Sequence, residues 1–298
     1  MLRLRSHAKI NWALEVVGRR SDGYHELRTL FQTISLADEI EVEECGGGIE
    51  LAVEETRSPM PPLADDASNL AWRAARLFLD SFAGGPAGVR IRLRKRIPVG
   101  GGLGGGSANA ATILAALARL HPEAPPLAAL EPLAARLGAD VPYFLRGGVA
   151  IGTGRGDILR ELPDDAIEEE EIRLAVPPFG VSSGEAFAAL GASLVDEPSA
   201  HMQVDWPGAL PRRLSRWRGR NDLERASFAL RPELGRMYNS LLASGASWVR
   251  MSGSGSTLVA IFDRASDAER AGAALPEGVE WLRARTLRRS TWRDSTGI

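Results

Sequence analysis

Residues 98–111 read "PVGGGLGGGSANAA", with six glycines in the seven positions from Gly100 to Gly106 and only Leu103 between them. The segment joins an alternating stretch, "GVRIRLRKR" (88–96), to a run with helical spacing at Ile113, Leu114, Leu117 and Leu120. Glycine lets a backbone take positive φ and approach a ligand without Cβ interference. A helix N-terminus adds unpaired N–H groups and a partial positive charge, so strand, loop and helix together suit a phosphate. Ser107 stands at the expected helix start, where its hydroxyl can cap the helix or touch a phosphate or metal ion. A Walker A loop ends in Gly-Lys-Ser/Thr; this one ends Gly105-Gly106-Ser107 and is excluded from that class. Gly100, Gly102 and Gly105 satisfy G-x-G-x-x-G, but a dinucleotide fold also wants an acidic residue ending a second strand about 20 positions on. The loop "HPEAPP" (121–126) stands there instead. A flexible linker would not sit flush between an alternating strand and an amphipathic helix, so the segment is read as a phosphate site.

The rest of the chain sets bounds on that reading. It has 298 residues, enough for two domains, and a net charge of -2, which gives no drive toward nucleic acid or anionic membrane. One cysteine, Cys45, and four histidines rule out an internal disulfide and leave little for a Cys/His zinc site. No signal-type apolar stretch opens the chain, and "SANAATILAALARL" is too short and polar to span a bilayer. A cytoplasmic protein is expected. Of 36 basic residues only Lys9 and Lys95 are lysine. A chain that fills every other basic position with arginine keeps an amine in "SHAKIN" (6–11). Arginine's planar fork cannot serve as a point charge in a tight pocket, whereas a lysine ammonium can.

Alternation places Ile10, Trp12, Leu14 and Val16 on one side of a strand, with one buried face, and the period of two puts Lys9 and Asn11 on a shared face. "DEIEVEE" and "GVRIRLRKR" alternate likewise, the latter with arginines on its open face. Leu70, Ala74, Leu77, Phe78 and Phe82 mark a helix behind a capping-type Ser68, and a helix ending at Leu137 has Gly138 as its cap. The acidic stretch from Asp164 to Glu171 marks an exposed turn and a boundary between domains at 1–163 and 164–298. Beyond it, "EIRLAVPP", "TLVAIF" and "VEWLRARTL" read as strands, and "SGEAFAAL", "NDLERASFAL", "PELGRMYNSLLAS" and "SDAERAGAAL" as helices. Strands and helices mix without strict βαβ alternation, so the fold class is α+β.

The glycine-rich segment resembles the phosphate loop of the GHMP kinases (galactokinase, homoserine kinase, mevalonate kinase and relatives), and "SGSGSTLVAIF" from Ser252 resembles their third motif, a turn of the second domain. "AKINWALEVVGRRSDGYHEL", "LGADVPYFLRGGVAIGTGRGDIL" and "GRNDLE" are similar to the members of that family that phosphorylate a cytidine-diphosphate-linked methylerythritol. These matches span residues 8 to about 262. The resemblance implies a two-domain GHMP kinase architecture: an N-terminal ribosomal-protein-S5-domain-2-like α/β domain and a C-terminal ferredoxin-like domain, the last strand free to return to the first. It implies transfer of the γ-phosphoryl of ATP, with Mg2+, to the 2-hydroxyl of the methylerythritol unit, in isoprenoid precursor biosynthesis. The partner is then a small molecule carrying a cytidine diphosphate group, with no nucleic acid or membrane, and the protein is a monomer or homodimer. A small-alcohol kinase of homoserine or mevalonate type is the first alternative, against which "DGYH" speaks. A non-catalytic ligand sensor is the second, against which the intact loop speaks.

The same resemblance assigns residues. Asp140 in "LGADVP" matches the catalytic carboxylate, as base or as positioner. It follows a helix C-terminus, where the dipole disfavours a negative charge, so a nearby cation is expected; Lys9 matches it. Asn11, Tyr24, His25, Phe31, Ser183 and Phe187 match substrate-binding positions: Tyr24 stacks on the base, His25 reads its edge, Phe187 sandwiches it from the second domain, and Phe31 forms an apolar wall. Ser183 stands where the family usually has Thr. Asn69, Lys95, Gly100, Gly101, Gly102, Leu103, Gly104, Gly105, Gly106 and Ser107 match the ATP side, although Asn69 also reads as a helix cap and Lys95 as a surface base. Ser107 is the one metal-ligand candidate, and Asp157 in "GRGD" is read as a turn residue.

Overall fold

The computed structural model describes residues 1–55, 63–82, 84–121, 123, 126–191, 212–213 and 219–297. Two long strands, β1 (Leu2–Arg19) and β2 (His25–Cys45), form an antiparallel ribbon that runs through the molecule. With β3 (Gly48–Glu55), β4 (Gly88–Lys95), β5 (Val149–Gly154) and β6 (Ile158–Glu161) they make a sheet ordered β3-β4-β2-β5-β6, with β1 also on β2. Helices α1 (Leu70–Ser81), α2 (Gly105–Leu120), α3 (Glu131–Leu137) and α4 (Val141–Arg146) share a core with this sheet. The second sheet is ordered β10-β7-β9-β8, from β7 (Glu171–Val176), β8 (Ala246–Met251), β9 (Leu258–Phe262) and β10 (Glu280–Arg285). Helices α5 (Ser183–Leu190), α6 (Leu223–Leu230), α7 (Pro232–Ala243) and α8 (Ala265–Ala273) connect its strands. That strand order, with helices between first and second and between third and fourth strands, is the ferredoxin-like plan. No helix among the described residues is long and apolar enough to cross a membrane.

Several local expectations are corrected. The strand holding Lys9 is buried on both faces from Ser6 to Leu14, not one. Ile10 and Trp12 pack into a core shared with Ile172, Leu174 and Trp248 of the second sheet, while Lys9 and Asn11 face the cleft. The two sheets therefore share apolar packing as well as a chain connection. Helix α2 is buried all round from Ala108 to Leu117, the pattern of a central helix and not of an amphipathic one. The cap of α1 is Asn69, whose side chain accepts from Ala71 N at 3.0 Å, and Ser68 instead bonds Asp66. The last strand, β10, pairs with β7, and directly after it Thr286 bridges Ile34 of β2 and Leu287 N donates to Thr33 O at 2.8 Å. The C-terminal helix α9 (Arg289–Thr296) also packs on the first sheet, at β1. Asp164 of the acidic turn accepts from the backbone N–H groups of Arg289 and Ser290, and His7 Nε2 and Ser295 Oγ lie 3.0 Å apart.

Candidate active site

A cleft of about 1040 Å³ lies between the two sheets, floored by residues 98–107 and rimmed by both domains. The backbone builds its floor. Gly102 and Gly104 have positive φ (75° and 71°), and helix α2 starts at Gly105, two residues before Ser107. Ser107 is thus inside the first turn and not the cap. Its hydroxyl makes no hydrogen bond among the described residues, and with the free N–H groups of that turn it is placed for an anion. Leu103, 1% exposed, plugs the loop into the shared core, and its carbonyl accepts from Lys9 N at 3.0 Å.

The second domain grips the same loop. Ser252 Oγ donates to Gly102 O (2.9 Å), and Thr257 N donates to Gly101 O (3.2 Å). Asn221, in "GRNDLE", donates through Nδ2 to Met251 O and Gly253 O (2.8 and 2.7 Å), holding that turn. The neighbours of Asn221 pair with β1: Leu14 N reaches Arg220 O, and Asp222 N reaches Leu14 O, both at 2.8 Å.

Beneath the loop, Lys95 is buried against Asp38, whose other oxygen accepts from Arg96 N and Ile97 N (2.7 and 2.8 Å). Lys95 also reaches Asn109 Oδ1 of α2 (3.2 Å), so this lysine braces the entry to the loop while still lining the cleft. The arginines around it lie on the open face in ion pairs with glutamates of β2 and β3, such as Arg90 with Glu43 and Glu50. Exposed pairs of that kind contribute little each.

Lys9 and Asp140 meet at the centre, Nζ to Oδ2 at 3.6 Å. Lys9 is 3% exposed, donates to Asn11 Oδ1 at 2.7 Å and lies 5.6 Å from the Phe31 ring centroid. Burial pulls its pKa down, and the charge of Asp140 opposes that pull. Asp140 follows the end of α3 as expected and is also the N-cap of α4, a helix too brief for a sequence period, so two helix ends of opposite dipole flank it. Two register shifts in the β1–β2 pairing, between His7 and Lys9 and between Asn11 and Ala13, bracket this face of the strand.

At the far rim, Tyr24 is 55% exposed, with the Arg155 guanidinium 4.9 Å from its ring centroid. Asp157 is a turn residue, as expected: it pairs with Arg155 at 2.6 Å and accepts from its backbone N–H. Phe187 reaches over from α5 and stacks on His25, centroids 4.6 Å apart and planes at 18°. Burial, then Arg19, lower the His25 pKa, which keeps its ring neutral at neutral pH. Ser183 Oγ lies 2.8 Å from Ser254 Oγ, and Asn69 and Phe31 also line the cleft. Thr29, Arg155, Asn221 and Asn109 went unread in the sequence; each is defined by partners far along the chain.

The model of the GHMP kinases N terminal domain matches residues 69–148, and that of the GHMP kinases C terminal matches 208–280. A 4-diphosphocytidyl-2-C-methyl-D-erythritol kinase of Solibacter usitatus (strain Ellin6076) is 37% identical, covering 97% of this chain and 91% of its own. The protein of that name from Heliobacterium modesticaldum (strain ATCC 51547 / Ice1) is 38% identical, with coverage of 97% and 96%. A crystal structure of 4-(cytidine 5'-diphospho)-2C-methyl-D-erythritol kinase superposes with a TM-score of 0.73 at 37% identity, over 96% of this chain and 99% of that one. Homoserine kinase from Cytophaga hutchinsonii, at 19% identity and a TM-score of 0.66, shares the fold. With both halves matched and that identity held along nearly its whole length, the chain belongs to the GHMP kinase family and is an ATP-dependent kinase.

Proposed function

We propose that this protein transfers the γ-phosphoryl group of ATP to the 2-hydroxyl of 4-diphosphocytidyl-2-C-methyl-D-erythritol. The observation that carries the reading is the Lys9–Asp140 pair, set in one cleft between a phosphate loop and an aromatic rim. Relatives of that name at 37–38% identity support it.

The loop N–H groups and the first turn of α2 hold the ATP phosphates, with Lys95 bracing them from below. The substrate hydroxyl donates its hydrogen bond to Asp140. Its oxygen bonds the γ-phosphorus as the bond to the ADP oxygen breaks, and Asp140 takes the proton. The Lys9 ammonium steadies the charge that develops on the transferring group. Asn11 borders the hydroxyl, Phe31 walls the methylerythritol unit, and Tyr24, His25, Ser183 and Phe187 engage the cytidine end. A stacked ring beside a hydrogen-bonding edge is a sound way to recognise a base.

No group of three or more His, Cys, Asp or Glu suited to a metal stands among the described residues. A magnesium ion arriving with ATP fits the Ser107 hydroxyl plus phosphate oxygens and water, and it supplies charge neutralisation to the phosphates.

The test is ADP release from ATP with the cytidyl substrate, mevalonate or homoserine, with the product's phosphorus NMR spectrum. Turnover of the cytidyl substrate is expected. Turnover of mevalonate or homoserine with none of the cytidyl compound overturns the reading.

A further inference from the structure

Asn11 and Lys9 share a strand face, but a third residue decides which way the Asn11 amide is turned. Thr29 lies on β2 opposite Leu14, is 1% exposed and lines the cleft. Its Oγ1 is 2.9 Å from the Ala13 carbonyl and 2.6 Å from Asn11 Nδ2. A carbonyl oxygen can only accept, so the single Thr29 hydrogen is committed to Ala13. The Thr29 oxygen is then an acceptor, and only the NH₂ end of the amide can face it. That leaves Oδ1 for Lys9 Nζ, at 2.7 Å. Donation thus runs one way, from Lys9 to Asn11 to Thr29 to Ala13. An inverted amide would point its NH₂ at an ammonium, two donors face to face.

We propose that Thr29 is a positioning residue for phosphoryl transfer: its hydroxyl locks the Asn11 amide so that Oδ1 holds the Lys9 ammonium beside Asp140. The inference rests on the roles proposed above for Lys9 and Asp140. Two features make such a lock necessary. The register shifts on either side interrupt the regular β1–β2 ladder here, so strand pairing alone does not set these side chains. Lys9 is also desolvated, with the charge of Asp140 opposing that pull from 3.6 Å, and Asn11 Oδ1 at 2.7 Å is the acceptor within ordinary hydrogen-bond length that fixes where the ammonium sits. The groups facing Lys9 are Asn11 on its own strand, the Phe31 ring on β2, Asp140 before α4, Gly104 of the loop and Gly253 of the second-domain turn. Of these Asp140 alone carries a charge.

The experiment compares Thr29→Val, Thr29→Ser and Lys9→Met with the wild type, by steady-state kinetics in both substrates across neutral to alkaline pH. Thr29→Val is expected to lower kcat about tenfold, the worth of one buried hydrogen bond, with the KM for ATP within about twofold. Its activity should also fail at lower pH on the alkaline side, because Lys9 then loses its proton more readily. Thr29→Ser keeps the hydroxyl and should stay within about threefold of wild type, with an unmoved alkaline limb. A merely structural role would leave that limb in place. If the valine variant does not fold, Thr29→Ala, which cannot overpack the site, carries the same expectation. Wild-type kcat and pH profile in the hydroxyl-free variant, with Lys9→Met inactive, overturn the Thr29 inference alone. Wild-type kcat in Lys9→Met overturns both it and the role proposed for Lys9, whereas a wild type that releases no ADP with the cytidyl substrate overturns the phosphoryl-transfer reading.

Discussion

Lys9→Arg keeps the positive charge and changes its shape, in a protein where arginine occupies 34 of the 36 basic positions. Lys9 is 3% exposed, with Asn11 Oδ1 at 2.7 Å and Asp140 Oδ2 at 3.6 Å. Backbone closes the flanks: a Cβ added at Gly104 would come within 3.2 Å of Lys9 Cε, and one at Gly253 within 3.4 Å of Nζ. A guanidinium spreads its charge over a wide plane of five N–H donors, and this slot holds a single ammonium. Overpacking of this kind costs about 1–3 kcal/mol, and losing the charge-assisted bond to Asn11 about 1.5–3 kcal/mol. Even a loss of about 3 kcal/mol in the transition state lowers kcat by roughly 10²-fold. The phosphate loop is held by the backbone N–H of Lys9, which the substitution leaves in place, so the KM for ATP should stay within about threefold. ADP release at varied ATP and cytidyl substrate measures both constants. An arginine variant within about threefold of wild-type kcat would show that a compact amine is not required, and would refute the reasoning.

Other outcomes follow from the same geometry. Gly102→Ala sets a Cβ 2.0 Å from Ser252 O at a φ of 75°, so Tm should fall by roughly 5 °C or more. Gly106→Ala meets only Leu70 Cδ1, at 3.4 Å, and should shift Tm by less than about 2 °C; equal shifts in thermal melts would contradict the packing. His7, buried between β2 and α9, has its pKa lowered from 6.5 to about 4. The unfolded chain then takes up the proton first, so stability should decline as pH falls from 6.5 toward 4 and level off below, by up to about 3 kcal/mol. His7→Gln should flatten that decline in denaturant titrations. Phe187→Ala removes the ring stacked on His25 and should raise the KM for the cytidyl substrate about tenfold, leaving that for ATP unchanged, in the same ADP-release assay.

Local patterns showed what local chemistry determines. The glycine run stands out because Gly100, Gly102 and Gly104 take positive φ, which side chains rarely adopt, and period two alone put Lys9 and Asn11 together. Long-range features stayed hidden. Period two sets Lys95 on the buried face with Val89, Ile91 and Leu93, yet no local pattern names its partner Asp38, 57 residues earlier. Asn221 and Thr29 act through bonds to segments 30 and 18 residues away, which no periodicity reports. Helix α4 is too short to show a period, so the sequence shows at Asp140 only the end of the preceding helix. The burial of α2 on every side depends on the sheet and on α1, α3 and α4, and its own small residues only permit it.

The phosphate loop takes hydrogen bonds from both domains, at Gly101, Gly102 and Leu103, all made by the protein itself. Its shape is therefore set during folding, and ATP meets a preorganised cradle with little loop entropy left to lose. The price is that nucleotide affinity becomes a gauge of domain contact. Whatever loosens the second domain, even far from the phosphates, should register first as weaker ATP binding.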